Sequence, residues 1–218
     1  MLTNEEECGP MGLNEECSFL DRIRIQLKVA HGAEIARRYL AMNAFDGVLP
    51  VIGILMGAVI ALAYQNPAFV YQTTLLAILG TSFAMFVSGI TSSYLTETAE
   101  REREIKELEH SMLTNLRDSG LSRAAKTTTI VVSLINGLSP SMAALVTAVP
   151  LFLPFFTTLS IEVSFYLAIS VGLVVLFSLG VFLGRVSKTN VAIYGIKTLA
   201  AGVLVILMMW IVSSIQVF

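Results

Sequence analysis

Asp46 is the residue whose type and setting point most directly to chemistry. It sits in the stretch 42–57 (MNAFDGVLPVIGILMG), at the mouth of an apolar run with no charged residue until Glu97. A carboxylate at membrane depth costs about 3 kcal/mol, so by default it marks an ion or substrate path. The alternative is an N-cap in the headgroup zone, where the carboxylate accepts from the first amides of a helix. Both readings stand at this point. Pro50, one turn on, fits a helix start or a local break.

A second group of carboxylates follows. The segment ETAEREREIKELEHSML has strong helix formers and no Gly or Pro. At 100° per residue, Glu97, Glu100, Glu104 and Glu107 fall within about 80° of one helix face, while Glu102 and Glu109 lie elsewhere. Four carboxylates on one stripe repel unless a cation or a partner's basic residues neutralise them. Oxygen ligands suit divalent ions such as Mn²⁺ and Fe²⁺. The competing reading is a solvated helix whose Arg and Lys form ordinary surface pairs.

Other reactive residue types carry less. The two histidines, His31 and His110, complete no Ser-His-Asp or HExxH pattern, and there is no P-loop or CxxC, so no enzyme is expected. His31 reads as an interfacial residue rather than a ligand. Cys8 and Cys17 lie in an acidic tail and read as incidental thiols rather than a disulfide or metal site. Met208 and Met209 read as packing residues in the last apolar segment. A net charge of −2 points to no nucleic acid.

The elements that must position these residues are membrane helices. The 218 residues are 55% hydrophobic and 14% charged, with mean hydropathy +0.76, which is not a soluble globular composition. Five apolar segments, near 46–65, 69–93, 138–157, 161–184 and 198–218, are long enough to cross a bilayer. The expected fold is all-α. Residues 1–17 read as a disordered acidic tail and 18–40 as a cytoplasmic amphipathic helix, interrupted near Gly32. Residues 41–218 form the five-span domain, with a cytoplasmic helical insert at about 95–126 continuing span two. No cleavable signal peptide is visible. A break is expected at 136–140, with the third crossing after it, and Pro150 and Pro154 kink its far end. Gly53 and Gly57 form a small-xxx-small pair suited to close helix approach.

All 14 Lys and Arg residues precede span one or lie between spans two and three or four and five. The positive-inside rule then puts the N-terminus inside and the C-terminus outside. Spans one and three match at an offset of 90, with Asp46-Gly47 on Asn136-Gly137 and Pro50 on Pro140. Spans two and four match at 91, with Phe86 on Phe177 and Gly89 on Gly180. This is a parallel repeat, and transporters often carry their site where such repeats meet. Asn136, Ser88 and Met85 become candidate pathway-lining residues, facing Asp46 or beside it.

Together, FDGVLPVIGILMG, the run TETAEREREIKELE after the polar end of span two, SPSMAALVTAVPLFLPFF and IKTLAAGVLVILMMWIVSS resemble the vacuolar iron transporter family, in its short archaeal form. The resemblance covers roughly residues 34–218. It implies five spans, a homodimer, and export of Fe²⁺ or Mn²⁺ from the cytosol driven by proton counterflow, with the metal as substrate and no cofactor. Asp46 matches the family's span-one aspartate. For a source without a vacuole, the cell membrane is the expected location. Two departures matter. Gly89 stands where the family's span-two glutamate is expected, and only about 30 residues separate spans two and three, too few for the family's larger metal-binding domain. A relative that moves another substrate, or a non-transporting scaffold, is the alternative.

Overall fold

The computed structural model describes residues 32–116 and 119–215. The expected tail at 1–17 and most of the amphipathic helix at 18–40 lie outside the described residues. Among those described, every regular element is helical: α1 (Gly32–Ala61), α2 (Pro67–Met112), α3 (Gly120–Ala148), a 3₁₀ segment (Val149–Phe155), α4 (Ile161–Val186) and α5 (Val191–Ile215). All five long helices have the length and hydropathy needed to cross a membrane.

Their starts follow from local chemistry. Asn66 Oδ1 accepts from the Ala68 amide at 2.9 Å, and Pro67 opens α2, where a missing N–H costs nothing. Asn190 Oδ1 accepts from Ala192 at 3.1 Å before α5, and Ser160 caps α4. Leu113 and Lys188 take the left-handed conformation just past α2 and α4, as residues that end a helix often do. After Lys188, the Thr189 N–H reaches back to the Gly184 carbonyl at 3.1 Å.

One expectation is corrected. No break occurs at 136–140, because α3 runs unbroken through Pro140. A proline removes one hydrogen bond to the residue four back, and the buried flanks of α3 hold the remaining turns in place. The departure from α geometry comes at the 3₁₀ segment instead, which holds Pro150 and Pro154. Pro154 has no N–H for the Leu151 carbonyl three residues back, and the buried Tyr71 hydroxyl donates to that carbonyl in its place. The expected interruption near Gly32 borders residues outside those described, and from Gly32 onward α1 runs on into its apolar part.

The chain forms two compact units. One comprises Leu40–Phe86 with Leu138–Phe218. Its core packs Val51 and Leu55 of α1, Ile78 of α2, Ala144 of α3, Leu151 of the 3₁₀ segment and Phe165 of α4. α4 and α5 meet closely because glycines face backbone. A methyl group on Gly180 would fall 2.7 Å from Gly195 Cα, and Thr198 Oγ1 donates across to the Leu176 carbonyl at 2.9 Å. Gly53 and Gly57 do not work this way. Their nearest neighbours are the side chains of Val205 and Met209 at 3.8 and 3.6 Å, which is ordinary contact. Met209 is half-buried there, whereas Met208 is exposed. The other unit comprises Val87–Gly137 with the described part of Met1–Tyr39.

Large apolar side chains are exposed along the helices, among them Phe69, Leu76 and Phe83 on α2 and Leu204, Leu207 and Trp210 on α5. In water such faces would need a partner, and hydrocarbon covers them without cost.

Candidate functional site

Asp46 lies in the middle of α1, not at its start. The N-cap reading therefore falls, since the amides around Asp46 are already inside a continuous helix. It stands nine residues past Arg37, where the apolar part of α1 begins, so about 13 Å along the axis. The residue is exposed and makes no hydrogen bond or ion pair among the described residues. Met42 and Pro50, one turn before and after, are exposed with it. Pro50 also has no N–H to give the Asp46 carbonyl. Asp46 thus offers a carboxylate and a carbonyl oxygen on one exposed strip of an otherwise apolar helix.

Of the pathway candidates, Met85 is half-buried and packs against the apolar core. Ser88 is exposed. Asn136 is half-buried and engaged in an interaction of its own. Its backbone carbonyl and the Gly137 Cα lie 2.8 and 2.7 Å from where a Cβ on Gly89 would be. No side chain fits at position 89 without moving backbone, and a glutamate least of all. The absence of a carboxylate there is a packing requirement of this chain.

The four stripe glutamates divide. Glu97 is buried, only 4% exposed, while Glu100, Glu104 and Glu107 are exposed. The Tyr39 hydroxyl donates to Glu97 Oε1 at 3.5 Å, and Arg101 Nε stands 3.8 Å from Oε2, so both contacts are loose. Arg101 is drawn more firmly to Glu104, at 2.9 Å, and Arg103 binds Glu107 at 2.8 Å. Arginines on the same helix thus neutralise much of the stripe, as the surface-pair reading supposes. Among the described residues no three His, Cys, Asp or Glu side chains stand close enough to hold a metal ion. Asp46 and Met85 belong to one compact unit, and Ser88, Asn136 and the four glutamates to the other.

Glu97 lies beyond the apolar part of α2. Burial pushes its carboxyl above the ordinary value of 4.5, Arg101 and the Tyr39 hydrogen bond pull it down, and Glu100 and Glu104 add to the rise. The folded chain therefore holds this proton more tightly than the unfolded chain does. The associated stability is complete below pH 4.5 and is lost as pH rises through the raised folded value. Glu97→Gln should flatten the melting temperature against pH in the window just above 4.5. Thermal unfolding of the detergent-solubilised protein from about pH 4 to about pH 7 reads this out, and a slope unchanged by the substitution would assign it elsewhere.

Sequence reasoning missed Ser93, which is buried one turn before Glu97. It also missed a cleft of about 590 Å³ on α2 and α3 that takes in Tyr94, Thr98, Arg101, Lys126 and Thr129. The spacing 94, 98, 101 and 105 would have flagged one α2 face, but the α3 side of the cleft has no signal in the sequence.

Five long apolar helices with no strand among the described residues define the class, a multi-pass helical membrane protein. The chain is 31% identical over 184 residues to the uncharacterized protein MJ0645 of Methanocaldococcus jannaschii, covering 83% of this chain and 90% of the relative. It belongs to the same family as that archaeal protein. No protein-family model and no solved structure matches the chain.

Proposed function

We propose that this protein is a homodimeric exporter that moves Fe²⁺ or Mn²⁺ out of the cytosol in exchange for protons. The observation that carries the reading is Asp46, an exposed carboxylate within the apolar part of α1 that has no partner among the described residues. An exposed charge facing lipid is costly, and a second copy covering that strip would remove it from hydrocarbon. Two copies would bring two such carboxylates and their neighbouring carbonyls together, an oxygen-rich set suited to a divalent ion or a proton. The charged continuation of α2 then lies on the cytoplasmic side, as the distribution of Lys and Arg implies, and its exposed Glu100, Glu104 and Glu107 raise the local cation concentration. The C-terminus lies outside, and the bounding membrane is the cell membrane. In this reading Asn136, matched to Asp46 at the offset of 90 in the sequence, is its neutral counterpart.

The arginine pairs on the stripe and the steric block at Gly89 favour the second reading, a relative that moves another substrate or a scaffold that moves none. Proteoliposomes decide between them. Under an imposed proton gradient, Fe²⁺ or Mn²⁺ should accumulate on the side equivalent to outside, and collapsing the gradient should stop it. No movement of either ion by folded, dimeric protein would leave the second reading.

A further inference from the structure

The charged half of α2 carries a seam that the described residues do not fill. Tyr94, Thr98, Arg101, Ile105, Leu108 and Met112 recur at alternating intervals of four and three, so they share one face within about 80°. Heptad spacing of this kind suits a helix that packs against another along its length. α3 meets the seam only in part. Tyr94, Thr98, Arg101 and Ile105 form one wall of the cleft of about 590 Å³, and the small side chains of Ser122, Ala125 and Thr129 form the other. Leu108 and Met112 continue the seam past the cleft and are 40% and 61% exposed. Six glutamates between 97 and 109 keep this part of α2 out of hydrocarbon, so lipid does not cover them.

Residues 18–31, outside the described part of the chain, have the matching pattern. Phe19, Leu20, Ile23, Leu27 and Ala30 fall within about 100° of one helix face, and the last four repeat the three-four spacing. Their reach matches too. The Tyr39 hydroxyl of α1 meets Glu97, and the short connection at 62–66 makes α1 and α2 antiparallel neighbours. Stepping back along the chain from Tyr39 therefore steps onward along α2 from Glu97. Ala30, Leu27 and Ile23 lie nine, twelve and sixteen residues before Tyr39, and Ile105, Leu108 and Met112 lie eight, eleven and fifteen after Glu97. The two series agree to within one residue, about 1.5 Å along a helix. In an unbroken helix the stripe would point about 150° away from Tyr39, so the interruption expected near Gly32 is what turns it toward α2. Charge agrees as well. Glu100 and Glu104 flank the seam on one side and Glu102 and Glu109 on the other, and from 97 to 109 six glutamates stand against three Arg and Lys. Arg24 and Lys28 flank the stripe on one side and Arg22 on the other, against the single acid Asp21.

We infer that residues 18–31 of the same chain dock as a helix along the α2 seam, apolar face inward, beside the cleft. The docked segment covers Leu108 and Met112 and ties the N-terminal end of α1 to the charged half of α2. The matched spacing and reach favour α2 over the membrane surface, which has no spacing to match. This inference is independent of whether the protein transports anything.

Disulfide cross-linking of the full chain in nanodiscs tests it, with Cys8 and Cys17 replaced by serine. Leu27→Cys with Leu108→Cys should cross-link within one chain, about tenfold faster than Leu27→Cys with His110→Cys, which lies at the same level on the opposite face of α2. Adding Ile23→Asp, on the stripe, should slow that cross-link about fivefold, whereas Ile25→Asp, on the other face of the segment, should leave it within about twofold. Equal rates at positions 108 and 110, or no effect of Ile23→Asp, would overturn the docking. Cross-links formed only between chains would give the seam to a second copy, and overturn it too. So would quenching of a bimane on Leu27→Cys by brominated lipids, which would put the stripe on the membrane surface.

Discussion

Asp46→Asn should abolish the proposed proton-driven Fe²⁺ and Mn²⁺ movement in proteoliposomes, by at least about a hundredfold, while the folded protein becomes no less stable and melts at the same or a higher temperature. The two halves of this expectation have one cause. Asparagine keeps the shape and one oxygen of aspartate but loses its charge and its titration. A divalent ion about 4 Å from a carboxylate at an effective dielectric of 20 gains about 8 kcal/mol of gross attraction, much of it offset by the ion's own desolvation. Retaining a third of it accounts for a hundredfold effect, since 1.4 kcal/mol is tenfold. Asp46 has no partner among the described residues to lose, so removing its charge orphans none of them. Embedding a neutral amide in the apolar part of α1 instead relieves a charge that costs about 3 kcal/mol at membrane depth. A structural carboxylate would behave in the opposite way, with stability falling and transport following it down. Melting temperature and uptake measured on the same preparations separate these outcomes. Uptake that survives the substitution would take Asp46 off the path.

The number and class of the helices are legible in the sequence because they rest on bulk properties. A run of some twenty apolar residues has few soluble alternatives, and the signals at Asn66-Pro67 and Asn190 mark helix starts through capping chemistry that does not depend on distant partners. The misreadings come where two local signals compete and tertiary packing decides. Pro140 looks like a break, yet the turns around it are packed on both sides and continue. Pro154 looks similar and does change the helix type, with Tyr71 from eighty residues away supplying the missing donor. Asp46 looks like a cap because an acid before an apolar run usually is one. Only the continuity of α1 upstream of it excludes that reading. The spacing of the four stripe glutamates leaves open that Glu97 is buried while Glu100, Glu104 and Glu107 are exposed, and their electrostatics depend on rotamers. The arginines interleaved at 101 and 103 turn to Glu104 and Glu107 on the same helix. Glycine spacing misled most. Gly53 and Gly57 have the expected period but face side chains, whereas Gly47 and Gly89 face backbone, and no count of intervening residues distinguishes them.

Gly47→Ala should therefore be the most damaging single methyl group in the protein. A Cβ on Gly47 would fall on the carbonyl oxygen of Pro140, with the Pro140 Cα and carbonyl carbon both 2.8 Å away. These are backbone atoms of α3, so no side-chain rotation relieves the overlap and the two helix segments must separate. Overpacking of this kind costs about 1–3 kcal/mol even where side chains can yield, and more when backbone must move. A loss of about 3 kcal/mol is the expected result, read as a drop in the thermal or denaturant midpoint in detergent. The contrast is Gly80→Ala on the exposed face of α2, where nothing lies within 4 Å of the added methyl. In a single copy that change should stabilise α2 by about 0.5–1 kcal/mol through helix propensity. If α2 presents this face to a second copy, the same methyl would instead loosen the dimer. Melting temperature and oligomeric state measured together on Gly80→Ala then report whether a second copy packs on this face of α2. The Gly47→Ala result tests only the packing within one chain.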